Sequence, residues 1–221
     1  MHQWHSFEQF EQASQAAADF LAERIRQTLR QKSECHVILP GGRTPRQCLG
    51  FLLEKNLPWE QIHWYPGDER CYPRGHDERN DAMLEKYFWS RIPHCHAHPI
   101  PAERGAEQGA LAYRPIVESV GQFDIAFLGM GEDGHTASLF PENPALTDTA
   151  AVVPVFDSPK PPAERVSFGI KVLRQAHSRL LLAGGASKAG VIARIRQGDA
   201  LPVNRLGDIH WYIDKSAAGD V

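Results

Sequence analysis

The sequence predicts an α/β protein with a largely parallel sheet covered by helices on both faces. Two observations favour this class. Short apolar runs of strand length alternate along the chain with amphipathic segments of helix length. Several of these runs end in a glycine-containing turn that leads into a helix, as the units of a parallel sheet do. A chain of 221 residues can bury a full core, so we expect a single domain over residues 1–221.

The first half of the chain begins with a segment whose apolar residues recur at three- and four-residue intervals, which indicates an amphipathic helix. The strand after it ends at Pro40, Gly41 and Gly42, and the next helix opens with Thr44 at the N-cap and Pro45 in the first turn. Helices are predicted at Phe7–Arg30, Thr44–Leu53 and Asn80–Trp89. Strands are predicted at Cys35–Leu39 and Ile62–Tyr65, and a polar loop at Pro66–Arg79.

The second half continues the alternation. A helix is predicted from Glu103 to Val120 with Leu111, Ile116 and Val117 facing the core, and Pro115 can kink or shorten it. Strands are predicted at Phe123–Leu128, Ala151–Val155, Arg165–Ile170, Leu180–Ala183 and Ile209–Ile213. Short helices are predicted at Lys171–Ala176 and Lys188–Arg196.

The composition restricts the classes of partner. The formal net charge of -3 provides no general attraction to nucleic acid or to an anionic membrane. No segment has the roughly 18 apolar residues of a membrane span, and the N-terminal residues lack the pattern of a secretion signal. The four cysteines form no C-x-x-C motif. We expect a cytoplasmic protein that binds a small molecule, and the sequence does not predict its oligomeric state.

The most informative segment runs from Phe123 to Phe140, where an apolar strand leads into a loop with three glycines, two carboxylates and a histidine. Glycines allow positive φ or a close approach of the backbone to a ligand. Asp133 and His135 follow the end of a predicted buried strand, and ligands of open α/β sheets bind beyond the carboxyl ends of the strands. The loop therefore predicts a catalytic site, although a tight turn with a capping histidine is the structural alternative.

Three further segments also follow predicted strands. The turn from Pro40 to Pro45 leads into a helix N-terminus, which favours a bound phosphate, and it matches neither standard nucleotide loop. The segment from Gly67 to Cys71 presents Asp68 and Arg70, either for chemistry or in a structural ion pair of Arg70 with Asp68 or Glu69. Lys188 lies near another helix N-terminus, where a cation is unfavourable unless an anion binds beside it.

The run from His94 to His98 contains three histidines and Cys95, which raises the question of a metal. Alternation would place the three imidazoles on one side of an extended chain. No carboxylate or cysteine partner at typical zinc spacing accompanies them, so a solvated strand edge is the favoured interpretation and we predict no metal site.

Four motifs together resemble the 6-phosphogluconolactonases of the pentose phosphate pathway. They are Leu39–Pro45, Trp64–Arg70, Gly129–Pro141 and Ser158–Arg165. The resemblance covers nearly the whole chain and implies a Rossmann-like fold related to glucosamine-6-phosphate deaminase. It also implies hydrolysis of 6-phosphoglucono-1,5-lactone without a metal or an organic cofactor. Lys188 matches the family's phosphate-side lysine, whereas Arg43 stands where a small hydroxyl residue is expected.

Lactone hydrolysis needs an activated water, a donor for the developing oxyanion and an anchor for the phosphate. A histidine of ordinary pKa can accept the proton of the water at neutral pH. We therefore expect His135 to be the general base, oriented by Asp133 or Asp68, and Arg70 to stabilise the charge. Gly41, Gly42, Arg43, Thr44, Lys188 and Arg165 are the expected substrate and phosphate ligands. Ser138 is better interpreted as structural than as a nucleophile.

Two other functions remain as alternatives. A deaminase of the related family carries a glutamate in the loop after its histidine, and the aligned position here is Phe140, with Glu142 out of register. A sugar-phosphate sensor without turnover would need a DNA-binding or partner segment, and the sequence has no helix-turn-helix to supply one. Both alternatives predict the same kind of sugar-phosphate ligand.

Overall fold

The computed structural model describes residues 2–219 and contains two sheets. The larger sheet has seven strands, all parallel, in the order β1-β10-β9-β6-β2-β3-β5, and the smaller has three antiparallel strands in the order β4-β8-β7. The strands are β1 (Gln3–Phe7), β2 (Cys35–Leu39), β3 (Ile62–Pro66), β4 (Asp68–Arg70), β5 (His96–Ala97), β6 (Ile125–Leu128), β7 (Val152–Val155), β8 (Arg165–Phe168), β9 (Ser178–Ala183) and β10 (His210–Asp214).

Helices cover both faces of the large sheet, as predicted. They are α1 (Phe10–Leu29), α2 (Pro45–Leu53), α3 (Asn80–Tyr87), α4 (Ala106–Val120), α5 (Ile170–Gln175), α6 (Ala189–Arg196) and α7 (Lys215–Ala218). Short 3-10 turns join several of these elements.

Alternate residues of the inner strands of the large sheet point into two separate apolar cores. Along β2, Val37 and Leu39 enter the core beneath α1 and α2, whereas Ile38 enters the core shared with α4, α6 and the small sheet. This period of two is what a strand buried on both faces produces. The alternation fixes the register of the large sheet, because a slip of one residue would exchange the two cores.

The structure differs from the sequence-based prediction in its strands. The strand β1 was not predicted, and α1 begins at Phe10 rather than at Phe7. Within the predicted loop from Pro66 to Arg79, three residues form β4. The segments at Val152–Val155 and Arg165–Phe168 are strands, but they pair antiparallel in the small sheet. Short strands give a sequence signal for extended backbone, and that signal does not specify the partner strand.

The inward face of α4 was predicted incorrectly. Only Val117 of the three apolar residues faces the core, while Leu111 is 58% exposed and Ile116 is 41% exposed. The buried face is formed by small residues and one tyrosine, namely Ala106, Gly109, Ala110, Tyr113 and Val117. Gly109 allows close packing there, because a Cβ would lie only 3.0 Å from both the carbonyl oxygen of Pro101 and a methyl group of Val166. The helix continues through Pro115.

The run from His94 to His98 lies at the edge of the large sheet, as expected. His96 is in the edge strand β5 and His98 follows it, but His94 has φ +52° and lies in the turn before the strand. Within residues 2–219 no group of three or more His, Cys, Asp or Glu side chains is arranged to hold a metal ion. No helix in this part of the chain is long and apolar enough to cross a membrane.

Candidate active site

The strand order creates a crevice between β2 and β6. From β2 the chain adds β3 and β5 on one side of the sheet, and it then returns to place β6, β9 and β10 on the other side. Loops that leave adjacent strands in opposite directions separate at such a point, and ligands bind there in open α/β sheets. The turn after β2 and the loop after β6 both line a cavity at this position.

The cavity has a volume of about 150 Å³, which is roughly ten times what one water molecule requires by the same measure. Its walls combine the backbone of the two glycine loops with apolar strand residues. The polar side chains that line it are Thr44, Asp68, Arg70, Asn80, His135 and Arg165. Elements from both sheets therefore meet at one cavity, which is lined by most of the site residues predicted from the sequence.

His135 is held in place by Asp133, a carboxylate of its own loop. Its Nδ1 lies 2.5 Å from Oδ1 of Asp133, and its backbone N-H donates to the same oxygen at 3.2 Å. Burial alone would raise the pKa of Asp133, but the hydrogen bond and the charge of His135 outweigh it and lower the pKa to about 2. The carboxylate is then ionised at neutral pH and can only accept, so in the neutral form of His135 the hydrogen lies on Nδ1 and the free lone pair on Nε2.

Gly131 makes room for this pair. A Cβ at this position would lie 2.0 Å from Nδ1 of His135 and 2.6 Å from Oδ1 of Asp133, closer than atoms can approach. The backbone N-H of Gly131 also donates to the carbonyl oxygen of His135 at 2.9 Å and closes the loop. Because glycine has no side chain, it leaves the space that the imidazole and its partner occupy, and the loop can fold tightly around them.

Asp68 also lines the cavity but has different partners. One carboxylate oxygen accepts from the hydroxyl of Ser138, and the other accepts from Nδ2 of Asn80 at 3.1 Å. Of the two carboxylates that the sequence allowed as the partner of His135, the structure therefore pairs Asp133 with the imidazole. Ser138 is fully buried and donates to Asp68, which fits the structural role expected for it.

Two arginines face the cavity from adjacent strands. Arg70 of β4 and Arg165 of β8 are directly opposite each other in the antiparallel pair. Arg70 donates to the backbone carbonyl of Glu78, and Arg165 donates to the carbonyls of Lys160 and Pro161 at 2.9 and 3.2 Å. Burial, with a contribution from Arg70, lowers the pKa of Arg165. Like charges opposite each other are unfavourable, so this arrangement favours a bound anion.

The structural alternative was an ion pair of Arg70 with Asp68 or Glu69. Among the described residues, Arg70 forms no such pair and lies instead 3.9 Å from a carboxylate oxygen of Glu78. The carboxylate of Glu69 accepts the backbone N-H groups of Arg70, Asn80 and Asp81 at 2.7 to 2.8 Å. Because side chains alternate along β4, Glu69 points away from the cavity and ties the strand to the start of α3. This anchor fixes Asp68 and Arg70 on the cavity side.

The glycine turn after β2 forms the opposite wall. Gly42 has φ +84°, and a Cβ on Gly41 would lie 1.9 Å from Oδ1 of Asn80. Thr44 precedes α2 and lines the cavity, but its side chain makes no capping hydrogen bond to the described residues. Arg43 is exposed and is not among the residues that line the cavity.

Lys188 lies behind the loop that follows β6. Its Nζ donates to the backbone carbonyl of Met130 at 2.9 Å, and Met130 lines the cavity. Burial lowers the pKa of Lys188, although nearby Glu132 opposes this. The lysine is therefore next to the site, but the structure does not bring it among the residues that line the cavity.

Comparison with known proteins identifies the family. The sequence profile described as glucosamine-6-phosphate isomerases/6-phosphogluconolactonase matches residues 8–211. The chain belongs to this family. A 6-phosphogluconolactonase from Synechocystis is 32% identical over 212 residues, which cover 88% of each chain. The crystal structure of the Thermotoga maritima 6-phosphogluconolactonase superposes with a TM-score of 0.87 at 28% identity, over 97% of this chain and 100% of that one.

The wider fold relationship expected from the sequence is also found. A monomeric glucosamine-6-phosphate deaminase superposes with a TM-score of 0.85 over 98% of both chains, at 22% identity. At that identity the match shows the shared fold and nothing about activity. It confirms the α/β fold related to glucosamine-6-phosphate deaminase that the motifs of this family implied.

Sequence reasoning did not identify Asn80 as part of the site of this family member. Asn80 is the first residue of α3, is 2% exposed and lines the cavity, where its amide donates to both the backbone and the side chain of Asp68. In the sequence it was only the start of a predicted helix. A signal was nevertheless present, because a buried carboxylate such as Asp68 needs donors and Asn80 begins the next element of the chain.

Proposed function

We propose that the chain hydrolyses 6-phosphoglucono-1,5-lactone to 6-phosphogluconate in the oxidative pentose phosphate pathway, with His135 as the general base. Family membership supports the reaction. The observation that supports the mechanism is the position of His135, which pairs with Asp133 and lines one cavity together with the turn at Gly42, Arg70 and Arg165. The site thus combines a base with two cations suited to an anionic substrate.

The proton transfer begins at Nε2 of His135. The ionised Asp133 holds the hydrogen on Nδ1, so Nε2 takes the proton of a water molecule while the water oxygen bonds to the carbonyl carbon of the lactone. General base catalysis of this kind contributes roughly 10² to 10⁴-fold. The negative charge moves to the carbonyl oxygen, where Arg70 donates a hydrogen bond. One such donor contributes roughly 10² to 10³-fold.

The intermediate then collapses. The bond between the carbonyl carbon and the ring oxygen breaks, and the ring oxygen receives the proton from Nε2, which returns the imidazole to its starting state. The carboxylic acid that forms loses its proton to water. Asp68 faces the same cavity, and each of its oxygens keeps a further lone pair with which it can orient the attacking water. Ser138 is committed to Asp68 and takes no part as a nucleophile.

The phosphate is held at the other end of the substrate. Backbone N-H groups at Gly41 and Gly42, the hydroxyl of Thr44 and the start of α2 form a suitable anion site. Lys188 and Arg165 supply positive charge, and Arg43 would contribute from the exposed side of the turn. Anchoring the phosphate converts remote binding energy into orientation of the carbonyl group against His135.

The decisive experiment follows loss of freshly generated lactone with the wild type and with His135→Ala. We expect turnover by the variant to fall roughly 10² to 10⁴-fold, because the water is no longer deprotonated. Binding of 6-phosphogluconate, measured by calorimetry, should change little because the arginines and the glycine turn remain. Equal turnover by the two proteins would remove His135 from the mechanism.

The alternatives have separate tests. A deaminase would release ammonia from glucosamine 6-phosphate, and we expect none because Phe140 offers no carboxylate beside His135. A sensor would bind 6-phosphogluconate without accelerating lactone loss. We propose the cytoplasm as the compartment, since Cys35, Cys48, Cys71 and Cys95 are all free thiols.

A further inference from the structure

Phe140 lies directly behind the proposed base. It follows His135 by five residues, and the turn between them includes Ala137 at φ +49° and a backbone hydrogen bond from Leu139 to the carbonyl of Thr136 at 3.0 Å. This turn folds the chain back, so that the centroids of the Phe140 and His135 rings are 4.5 Å apart with their planes at 46°. Phe140 is 2% exposed and does not itself line the cavity.

The same phenyl ring contacts the second cavity arginine. The guanidinium carbon of Arg165 lies 5.6 Å from the centroid of the Phe140 ring, within the range of a cation-π interaction. Arg165 is held in turn by the carbonyls of Lys160, Pro161 and Pro162. Phe140 therefore contacts both the guanidinium group of Arg165 and the imidazole of His135.

The hydrogen bond to Asp133 restrains the imidazole at one atom, Nδ1. A large rotation about the bond between the ring and Cβ would break it, but small rotations about that bond and the Cα–Cβ bond together keep Nδ1 in place and still change the direction of the Nε2 lone pair. The phenyl ring of Phe140, tilted by 46° to the imidazole, supplies a second contact. Because a misplacement of about 1 Å in a reacting group costs on the order of 10²-fold in rate, this second contact has a kinetic consequence.

We infer that Phe140 is a positioning residue for the lactonase reaction, which holds the imidazole of His135 in the plane that aims Nε2 into the cavity. Arg165 and the carbonyls of residues 160–162 hold the phenyl ring in place for this purpose. The inference rests on the proposed function of His135 as the general base. It adds a role for a buried aromatic side chain that does not line the cavity.

The test compares Phe140→Leu with Phe88→Leu. Phe88 is an equally buried phenylalanine in the other apolar core, where it packs on Trp59 and Trp64, so the matched variant loses a similar aromatic contact far from the site. We expect kcat for the lactone to fall about 10- to 100-fold in Phe140→Leu, with a change below about threefold in Phe88→Leu. The dissociation constant of 6-phosphogluconate should stay within about threefold in both variants.

A second measurement keeps the inference testable without activity. The proton NMR signals of the His135 ring, assigned by their absence in His135→Asn, should carry a ring-current shift from Phe140 that disappears in Phe140→Leu. Phe140→Met, which keeps most of the side-chain volume, provides a folded replacement if the leucine variant is unstable, and we expect the same loss in kcat and in the shift.

The outcomes separate the two proposals. A wild type that lacks lactonase activity would overturn the proposed function and the inference together. An active wild type whose kcat is matched within threefold by the Phe140 variants, with unchanged His135 signals, would overturn only the role of Phe140.

Discussion

The two ends of the large sheet both carry histidines, in opposite environments. At the carboxyl ends of the strands, His135 donates to the ionised Asp133. At the amino ends, three histidines occupy one register across neighbouring strands with their rings in contact, and a fourth lies just after the edge strand. We call these the histidine row, which consists of His36, His63, His96 and His98.

The neighbours of each imidazole decide what it can do. In the row, burial and, after it, the charges of His63, His36 and His96 together lower the pKa of His98 to about 4. The pKa values of His36 and His63 are lowered as well, again mainly by burial. Histidines that share a site disfavour each other's protonation. A carboxylate in contact with one imidazole selects its tautomer, whereas a row of imidazoles provides packing and a response to acid.

The largest difference in kcat is expected when the carboxylate nearest to the histidines is removed at each end of the large sheet. Asp133→Asn should lower kcat on the order of 10²-fold, because an amide no longer requires the hydrogen on Nδ1 of His135. Glu34→Gln removes the carboxylate that lies 3.6 and 3.7 Å from Nε2 of His36 and His63, and kcat should stay within about twofold. Steady-state kinetics on fresh lactone measure both, and comparable losses would break the distinction.

A somewhat smaller effect on kcat is expected from filling the space beside Gly131. Gly131→Ala should lower kcat roughly 10-fold or more, because the new methyl group displaces the His135 ring and its partner. Gly50→Ala is the matched control, since a Cβ at Gly50 meets nothing within 4 Å and the position is inside α2. There we expect unchanged kcat and a gain of about 0.5–1 kcal/mol in unfolding free energy. An active Gly131→Ala would show that the loop adapts.

The smallest effect concerns acid stability. The folded pKa of His98 is about 4, below the ordinary value of 6.5, so the unfolded chain binds its proton first. The contribution of His98 to the free energy of unfolding is therefore fully present above about pH 6.5 and is lost as the pH falls toward 4. The full shift would correspond to about 3 kcal/mol, and screening at this half-buried site reduces it to about 1–2 kcal/mol.

Thermal unfolding of the wild type and of His98→Asn, followed between pH 7 and 4, measures this effect. The variant should lose less of its Tm over that range. Asp133 does not contribute in this window, because its pKa of about 2 lies below the ordinary value of 3.8 and its part is lost only below about pH 4. Parallel Tm curves for the two proteins would mean that His98 does not contribute to the acid response.

The same contrast shows what could be predicted from the sequence. Segments such as Cys35–Leu39 were predicted correctly because a strand buried on both faces is a continuous apolar run. The loop around His135 was recognisable because glycines and polar residues follow such a run. Partners from distant segments were not predictable, and Asn80 beside Asp68 and Phe140 beside Arg165 depend on how the second sheet packs. The side that Leu111 faces was also ambiguous, because α4 packs through small residues.

The crevice between β2 and β6 has a further consequence for how activity is acquired. The two loops that form it are separated by nearly ninety positions in the chain, and Arg165 arrives later still. Contacts between such distant segments are generally the slowest to form during folding. Turnover should therefore return late when the unfolded chain is diluted from denaturant, after helical signals have recovered, and a chain shortened before β8 should bind and hydrolyse nothing. Recovery of catalytic activity would therefore indicate that the contacts between these distant segments have formed.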